Sequence, residues 1–429
     1  MPDVAGTMIR AGKDGRAQDW TQLPLRADEF VPGSNLAVSW RPARASAASP
    51  RIAAFVTPVR SDFTDEFAAE AVNYAMDPRR GRAVASRPDT VPKGTPMKVA
   101  LFGAGRIGKV HAASIKMDPR CELVAVTDVM TEAAEALAHE HGIAARRADE
   151  ILADPSIDAI LIASSTNTHA DLIEAGAKVG KAIFCEKPID LDLKRALEIG
   201  RIANTHDKPM MMGFNRRFDP NFAAVKAALE AGEVGKGELL AVTSYDPAPP
   251  PVSYIKVSGG LYRDMMIHDF DMCAFLFGMP KSVMAHGSCL VDPEIGAAGD
   301  IDTAVVVLTY EDGRIATIRN SRRAPYGYDQ RVELLGSEGT LEARNEIENT
   351  VVKSTAVGTV SAKPVFFFLE RYMRAYAIEW SAFVDACVEG KPVPATVQDG
   401  VNALALAEAA NLSFREGRPI EITSAMTGA

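Results

Sequence analysis

Cysteine is scarce. The 429-residue chain has five (Cys121, Cys185, Cys273, Cys289 and Cys387), an odd number with no C-x-x-C pair among them. That usage excludes a disulfide framework and gives no support for a structural zinc site. Each cysteine lies in an apolar run, as a small buried residue would. No apolar run reaches the roughly 18 residues that a membrane helix needs, so no span is expected. An excess of positive charge is also missing. With 47 Lys+Arg against 56 Asp+Glu the formal net charge is −9, which argues against a general nucleic-acid binder with a basic face. A reducing, cytoplasmic setting fits these absences.

What is present is the composition of a globular protein with a substantial core: 47% hydrophobic and 24% charged residues. The length implies two or three domains. The chain changes character at Met97. Residues 1–96 hold ten of the 26 prolines, with 13 Lys+Arg against 11 Asp+Glu. Stretches such as 41–50 (RPARASAASP) and 79–96 offer too little apolar surface to offset chain entropy. Only 61–76 has helical spacing, with Phe63, Phe67, Ala71 and Tyr74 on one face. Arg79-Arg80 is followed by no apolar segment, so a twin-arginine export signal is not expected. Residues 1–96 read as a disordered or irregular extension, with Met97 as the biological start. A genuine capping arm is the alternative.

From Met97 short apolar runs alternate with helical stretches: 97–102, 121–128, 159–164, 182–186 and 209–214. Continuous apolar strands separated by helices mean a parallel sheet covered on both faces. Beyond about 217 strand-like runs near 237–245, 282–290, 303–310, 314–320 and 330–335 follow one another with turns between. Long helices are expected near 260–277 and 366–389. The fold class is therefore α/β: a Rossmann-type parallel-sheet domain over 97–216, then an α+β domain over 217–429 with a large, mostly antiparallel sheet.

Gly103-Ala104-Gly105-Arg106-Ile107-Gly108 is G-x-G-x-x-G at the end of a strand and the opening of a helix, and Asp128 follows 20 residues after Gly108. This is the dinucleotide fingerprint. Gly103 permits the tight turn, Gly105 lets backbone approach a pyrophosphate, and Gly108 lets helix and strand pack closely. The helix N-terminus, opened by Arg106 and Ile107, offers free N–H groups to the phosphates. Asp128 is placed to accept from the adenine ribose hydroxyls, and Val129 follows it rather than an arginine. That favours NAD over NADP.

Cys185-Glu186-Lys187-Pro188 closes an apolar strand, where ligands of such sheets bind. A lysine there suits a reacting hydroxyl with developing alkoxide charge, although a solvated strand-end lysine is equally common. In 259–272 (GGLYRDMMIHDFDM) Asp264 and His268 stand four apart, which on one helix puts both on one face. A histidine oriented by a carboxylate is the usual general base. A buried structural pair is the alternative. A metal held by His268 with Asp264 or Asp271 lacks a third ligand at suitable spacing, so none is expected.

Together GAGRIG, CEKP, GFNRRFDP (213–220) and the GG-x-x-x-D-x-x-x-H-D-x-D string resemble the glucose–fructose oxidoreductase/inositol dehydrogenase/MocA superfamily. YGYDQR (326–331) and the 259–272 string look most like its bacterial inositol dehydrogenase branch. The resemblance covers roughly 97–420. It implies a catalytic triad of Lys187, Asp264 and His268, in which Lys187 holds the substrate oxygen and Asp264 tunes His268. It further implies a polyol pocket lined by Arg216, Asp246 and Tyr328, and cofactor contacts from Thr166, His169 and Glu186. The implied reaction is NAD-dependent oxidation of a ring hydroxyl of a small-molecule cyclic polyol, with myo-inositol going to 2-keto-myo-inositol. Substrate binding and homotetramer formation are the implied roles of the second domain. Tyr245 and Asn215 depart from close relatives near this pocket, which leaves scyllo-inositol, a monosaccharide or a sugar acid as rival substrates. A non-catalytic sugar or dinucleotide sensor would be expected to lose the lysine or histidine, and this chain keeps both.

Overall fold

The computed structural model describes residues 94–428 and, upstream, the backbone of two antiparallel strand pairs, the longer joining Leu36–Pro42 to Ile52–Pro58. Reading this stretch as irregular anticipates neither pair, although 36–40 (LAVSW) and 52–56 (IAAFV) are apolar runs. The other expectations for residues 1–93 lie outside the described residues.

Six strands form a wholly parallel sheet: β1 Met97–Phe102, β2 Cys121–Thr127, β3 Ala144–Ala145, β4 Ala159–Ile162, β5 Ala182–Glu186 and β6 Met210–Gly213. Their order is β6-β5-β4-β1-β2-β3. Every residue of β4 and β6 is buried, because helices cover both faces, and that is why these strands read as unbroken apolar runs. The connecting helices are α1 Arg106–Met117, α2 Thr131–His141, α3 Ala148–Ala153, α4 His169–Lys178 and α5 Leu193–Ala203. Strand β3 gives no sequence signal, since both its alanines are exposed. Strand order reverses between β1 and β4. The carboxyl ends of β1, β4 and β5 therefore open on one crevice, the place where such sheets bind ligands.

The chain then passes through α6 Pro220–Glu230, β7 Gly237–Tyr245, α7 Val252–Ser258, α8 Gly260–Asp264 and α9 Ile267–Phe277. Next come β8 Ser282–Ser288, α10 Pro293–Ala297, β9 Thr303–Thr309, β10 Ile315–Ser321, β11 Asp329–Gly336 and β12 Gly339–Ala343. A hairpin (β13 Val352–Thr355, β14 Gly358–Ser361), two long helices (α11 Phe368–Glu389, α12 Val397–Glu416) and β15 Ile420–Glu421 follow. The second sheet runs β12-β11-β7-β10-β9-β8-β15. It is antiparallel throughout except for β7 and β10, which lie parallel with Tyr245 opposite Ser321. Period-two burial along β11 shows one covered and one open face. On the open face Leu239, Ile315 and Leu335 stand side by side across β7, β10 and β11, all exposed.

One expectation is corrected. The helix anticipated over 260–277 is two helices, broken at Met265 and Met266. Both of their amides donate to the carbonyl of Leu261, so the turn widens and the register is lost. No glycine or proline marks the break. Helix α11 returns to the first sheet, where Trp380 and Phe383 pack against Phe184 of β5. It also carries Arg371, whose guanidinium pairs in the interior with Asp219, the N-cap of α6.

Candidate active site

The loop after β1 forms a cradle. Gly103 adopts φ +107°, and a Cβ there would meet the Ala163 carbonyl oxygen at 2.5 Å. A Cβ on Gly108 would lie 2.0 Å from the Gly103 oxygen. Around Gly105 a Cβ would meet nothing within 4 Å. The fold itself therefore requires the outer two glycines, whereas the middle one faces open space. No side chain caps α1, and no acidic residue stands in its first turn. Its dipole end is left to an anion. Asp128 accepts from the Ala104 amide at 2.7 Å and from the Met130 amide at 2.8 Å. Each carboxylate oxygen keeps a lone pair for a ribose hydroxyl. These residues fit a dinucleotide.

Other expected cofactor contacts are placed differently. Both ring nitrogens of buried His169 face backbone carbonyls, Nδ1 that of Pro188 at 2.7 Å and Nε2 that of Ser164 at 3.1 Å. The ring ties the loop after β4 to the loop after β5 and has no nitrogen free for a ligand. Glu186 turns to His111 of α1, Oε1 to Nε2 at 2.8 Å, and so pins that helix to β5. Thr166 opens a 3₁₀ turn over Thr166–Thr168 beside the same crevice.

Lys187 leaves the end of β5 and donates from Nζ to the Asp264 carbonyl oxygen at 2.9 Å, with the Asp264 carboxylate 3.9 Å away. His268 lies near enough for the Lys187 charge to be felt at its ring. The anticipated Asp264–His268 bond is not formed, because the helix break removes the four-residue alignment. Asp264 instead accepts from the Tyr254 hydroxyl at 2.9 Å and lies 3.5 Å from Arg322. The His268 ring packs edge-on to Phe214, and its Nδ1 is buried without a partner. Burial holds this imidazole well below its usual pKa, and the Lys187 and Arg216 charges push the same way. The ring is therefore neutral at neutral pH, the form a general base needs.

The polyol-pocket residues are also rearranged. Arg216 is buried and donates through Nη1 to Asp269 and to Ser244. Asp269 in turn accepts from Asn320 at 2.8 Å. Arg216 is thus paired with a buried carboxylate. Asp271, with which a metal had to be considered, is bound by Arg217 through two nitrogens. Among the described residues no group of three His, Cys, Asp or Glu side chains could hold a metal. Burial lifts the Asp246 carboxyl to about 6, against the pull of the Arg322 charge and with a push from that of Asp264. Tyr328 is buried edge-on to Tyr372, its ring 6.0 Å away. Tyr245 pairs with Asp329 on the strand position after inward-facing Ser244, so its side chain projects from the opposite face of the sheet. Asn215 is buried in the 3₁₀ turn that carries Arg216. Sequence reasoning missed Ser244, Tyr254, Asp269 and Arg322. Only the pairing of β7 with β10 brings Arg322 to Asp246, and no local pattern announces it.

The lining charges balance: Lys187, Arg216 and Arg322 stand among Asp246, Asp264 and Asp269. This arrangement suits a neutral ligand rich in hydroxyls. Comparison with known proteins agrees. The chain matches the oxidoreductase family with NAD-binding Rossmann fold over residues 97–214 and the GFO/IDH/MocA C-terminal domain over 222–342. It is 47% identical over 327 residues to inositol 2-dehydrogenase of Rhizobium meliloti, covering 76% of this chain and 99% of that protein. To myo-inositol 2-dehydrogenase of Thermotoga maritima it is 44% identical, covering 76% and 98%. The scyllo-inositol dehydrogenase of Lactobacillus casei, solved with NAD(H) and scyllo-inositol, superposes with a TM-score of 0.72 at 29% identity, covering 76% and 99%. The chain belongs to the GFO/IDH/MocA oxidoreductase family.

Proposed function

We propose that the protein is an NAD-dependent inositol 2-dehydrogenase whose preferred substrate is myo-inositol, oxidised to 2-keto-myo-inositol. One observation carries this reading: Lys187, at the carboxyl end of β5, donates to Asp264, and a buried histidine held neutral in part by the Lys187 charge follows in the next helix. When bound, NAD supplies the hydride acceptor. His268 takes the hydroxyl proton on its neutral imidazole. Lys187 donates to the same oxygen and stabilises its developing charge. Asp264 fixes Lys187 rather than His268, because its contacts run to the lysine, Tyr254 and Arg322. Asp246 and Tyr328 offer hydrogen bonds to the remaining ring hydroxyls, and Arg216 holds Asp269 and Ser244 beneath them. Arg106, Ile107, Gly103, Gly105, Gly108 and Asp128 hold the dinucleotide, with Thr166 bordering its nicotinamide end. The test is NADH formation from myo-, scyllo- and chiro-inositol and glucose. Preference for myo-inositol supports the assignment, and turnover of glucose alone overturns it.

Two further outcomes follow from the geometry. Asp128→Ala is expected to weaken NAD by about 10- to 100-fold, the value of a hydrogen bond to a charged group, and to narrow its preference over NADP. Titration with both dinucleotides checks this, and an unchanged ratio would refute the ribose contact. The Asp246 carboxyl, raised to about 6 by burial, offers both oxygens as hydrogen-bond acceptors only when ionised, since protonation turns one of them into a donor. As pH rises through about 6, kcat/KM should therefore climb. Asp246→Asn should remove the limb near pH 6.

The exposed row Leu335–Leu239–Ile315 on the open sheet face supports association of copies into a homotetramer, which sedimentation would measure. The five cysteines form no disulfide, and no helix among the described residues is long and apolar enough to cross a membrane. Both fit a cytoplasmic setting.

A further inference from the structure

Arg322 is among the largest side chains fully buried in the protein, at 1% exposure. A buried guanidinium normally spends its five N–H groups on carboxylates or carbonyls. This one does not. Its single hydrogen bond is a long one, Nη2 to Asp264 at 3.5 Å, and its Nε has no partner at all. An unpartnered buried donor is costly, so its complement is to be sought in something that enters the site. Three features decide what that is.

The first is position. Strands β7 and β10 are the only parallel neighbours in the second sheet, in register from Leu239 opposite Ile315 to Tyr245 opposite Ser321. One step further, Asp246 and Arg322 leave the same end of the sheet side by side. The loops are locked there. The Asp246 amide donates to the Ser321 carbonyl at 2.9 Å, the Ala324 amide to the Asp246 carbonyl at 2.7 Å, and the Arg322 amide to the Asp302 carbonyl at 2.9 Å. The second is chemistry. Guanidinium only donates, whereas an ionised carboxylate only accepts. No hydrogen bond joins the two side chains, although they are close enough to interact by charge. The third is location, since Arg322 reaches Asp264, which contacts Lys187.

We propose that Arg322 and Asp246 form a clamp for two neighbouring ring hydroxyls, Arg322 donating to one oxygen and Asp246 accepting from the other. A fixed donor beside a fixed acceptor reads the relative orientation of a vicinal pair. The clamp therefore selects among ring stereoisomers at carbons other than the one oxidised. It gives the pocket an arginine that Arg216, bound to Asp269, does not supply.

The inference rests on the polyol-oxidising function proposed above, and its test separates the two. The parent enzyme, Arg322→Gln, Arg322→Lys and Asp246→Asn are assayed with NAD on myo-inositol and on monodeoxy analogues lacking one hydroxyl each. Dinucleotide affinity and Tm confirm that each variant is folded, and Arg322→Lys keeps the buried charge should the glutamine variant fail. The clamp predicts that Arg322→Gln raises KM for myo-inositol so that kcat/KM falls about 100-fold or more, as when a polar site loses its partner. With the one analogue that lacks the Arg322-bound hydroxyl the same substitution should change kcat/KM little. Asp246→Asn should behave in the same way with the neighbouring deoxy analogue. Equal losses on every analogue, or a fall in kcat at constant KM, would mean that Arg322 acts only through Asp264, and would overturn the clamp. If the parent oxidises no inositol, the functional reading fails instead. The cycle is then run on the deoxy series of the ring substrate that it does oxidise, with equal losses again decisive against the clamp.

Discussion

Replacement of His268 by alanine is expected to lower kcat with myo-inositol by about 10²- to 10⁴-fold, the usual worth of a positioned general base, with NAD affinity unchanged. The ring lies beyond the glycine cradle, among Phe214, Lys187 and Arg216, so its loss leaves the dinucleotide contacts intact. Its neutrality is built in: protonation would place a buried cation beside two others. Lys187→Ala should cost about 10²- to 10³-fold, as for removal of one donor to a developing oxyanion. Because proton removal and charge stabilisation act on one oxygen, the double variant should be little worse than the poorer single one. Single-turnover NADH formation with saturating NAD makes the comparison. Near-normal turnover by His268→Ala would dismiss the assigned base, and additive losses would separate the two residues.

Gly108→Ala should be the most damaging change at the dinucleotide site. Its Cβ would fall 2.0 Å from the Gly103 oxygen, forcing α1 away from the loop that it braces. Overpacking of this kind costs about 1–3 kcal/mol, and the displaced helix end no longer meets the phosphates. A lowered Tm together with NAD affinity reduced by at least about tenfold is expected, since a loss of about 1.4 kcal/mol in binding already corresponds to that factor. Gly105→Ala provides the contrast. Nothing in the protein lies within 4 Å of the added methyl, so Tm should hold while NAD binding falls. Calorimetric titration and thermal melts of both variants decide the matter. Equal loss of stability in the two would mean that the middle glycine serves the fold rather than a ligand.

Much of this molecule was legible from residue order alone. The runs at 97–102, 159–164 and 182–186 declared buried parallel strands, because a sheet covered on both faces tolerates no polar alternation. The glycine spacing and Asp128 declared the cradle, since its requirements are local: a positive φ at Gly103, a close strand–helix approach at Gly108, a carboxylate one strand over. The apolar run before Lys187 also announced that this lysine follows directly on a strand end. The tertiary structure decided the partners. Asp264 and His268 are four apart, yet the turn at Met265–Met266 sends one to Tyr254, Lys187 and Arg322 and the other against Phe214. His169 and Arg216 carry ligand-like chemistry, but the loop carbonyls of Ser164 and Pro188 claim the histidine's ring nitrogens, and Asp269 of α9 with Ser244 of β7 claims one of the arginine's donor groups. Arg322 meets Asp246 only because β7 and β10 run parallel 76 positions apart. Sequence by itself fixes what depends on the backbone within a few residues: element, face and turn. Which charge meets which depends on strand order and register, and those are set by the whole core closing at once.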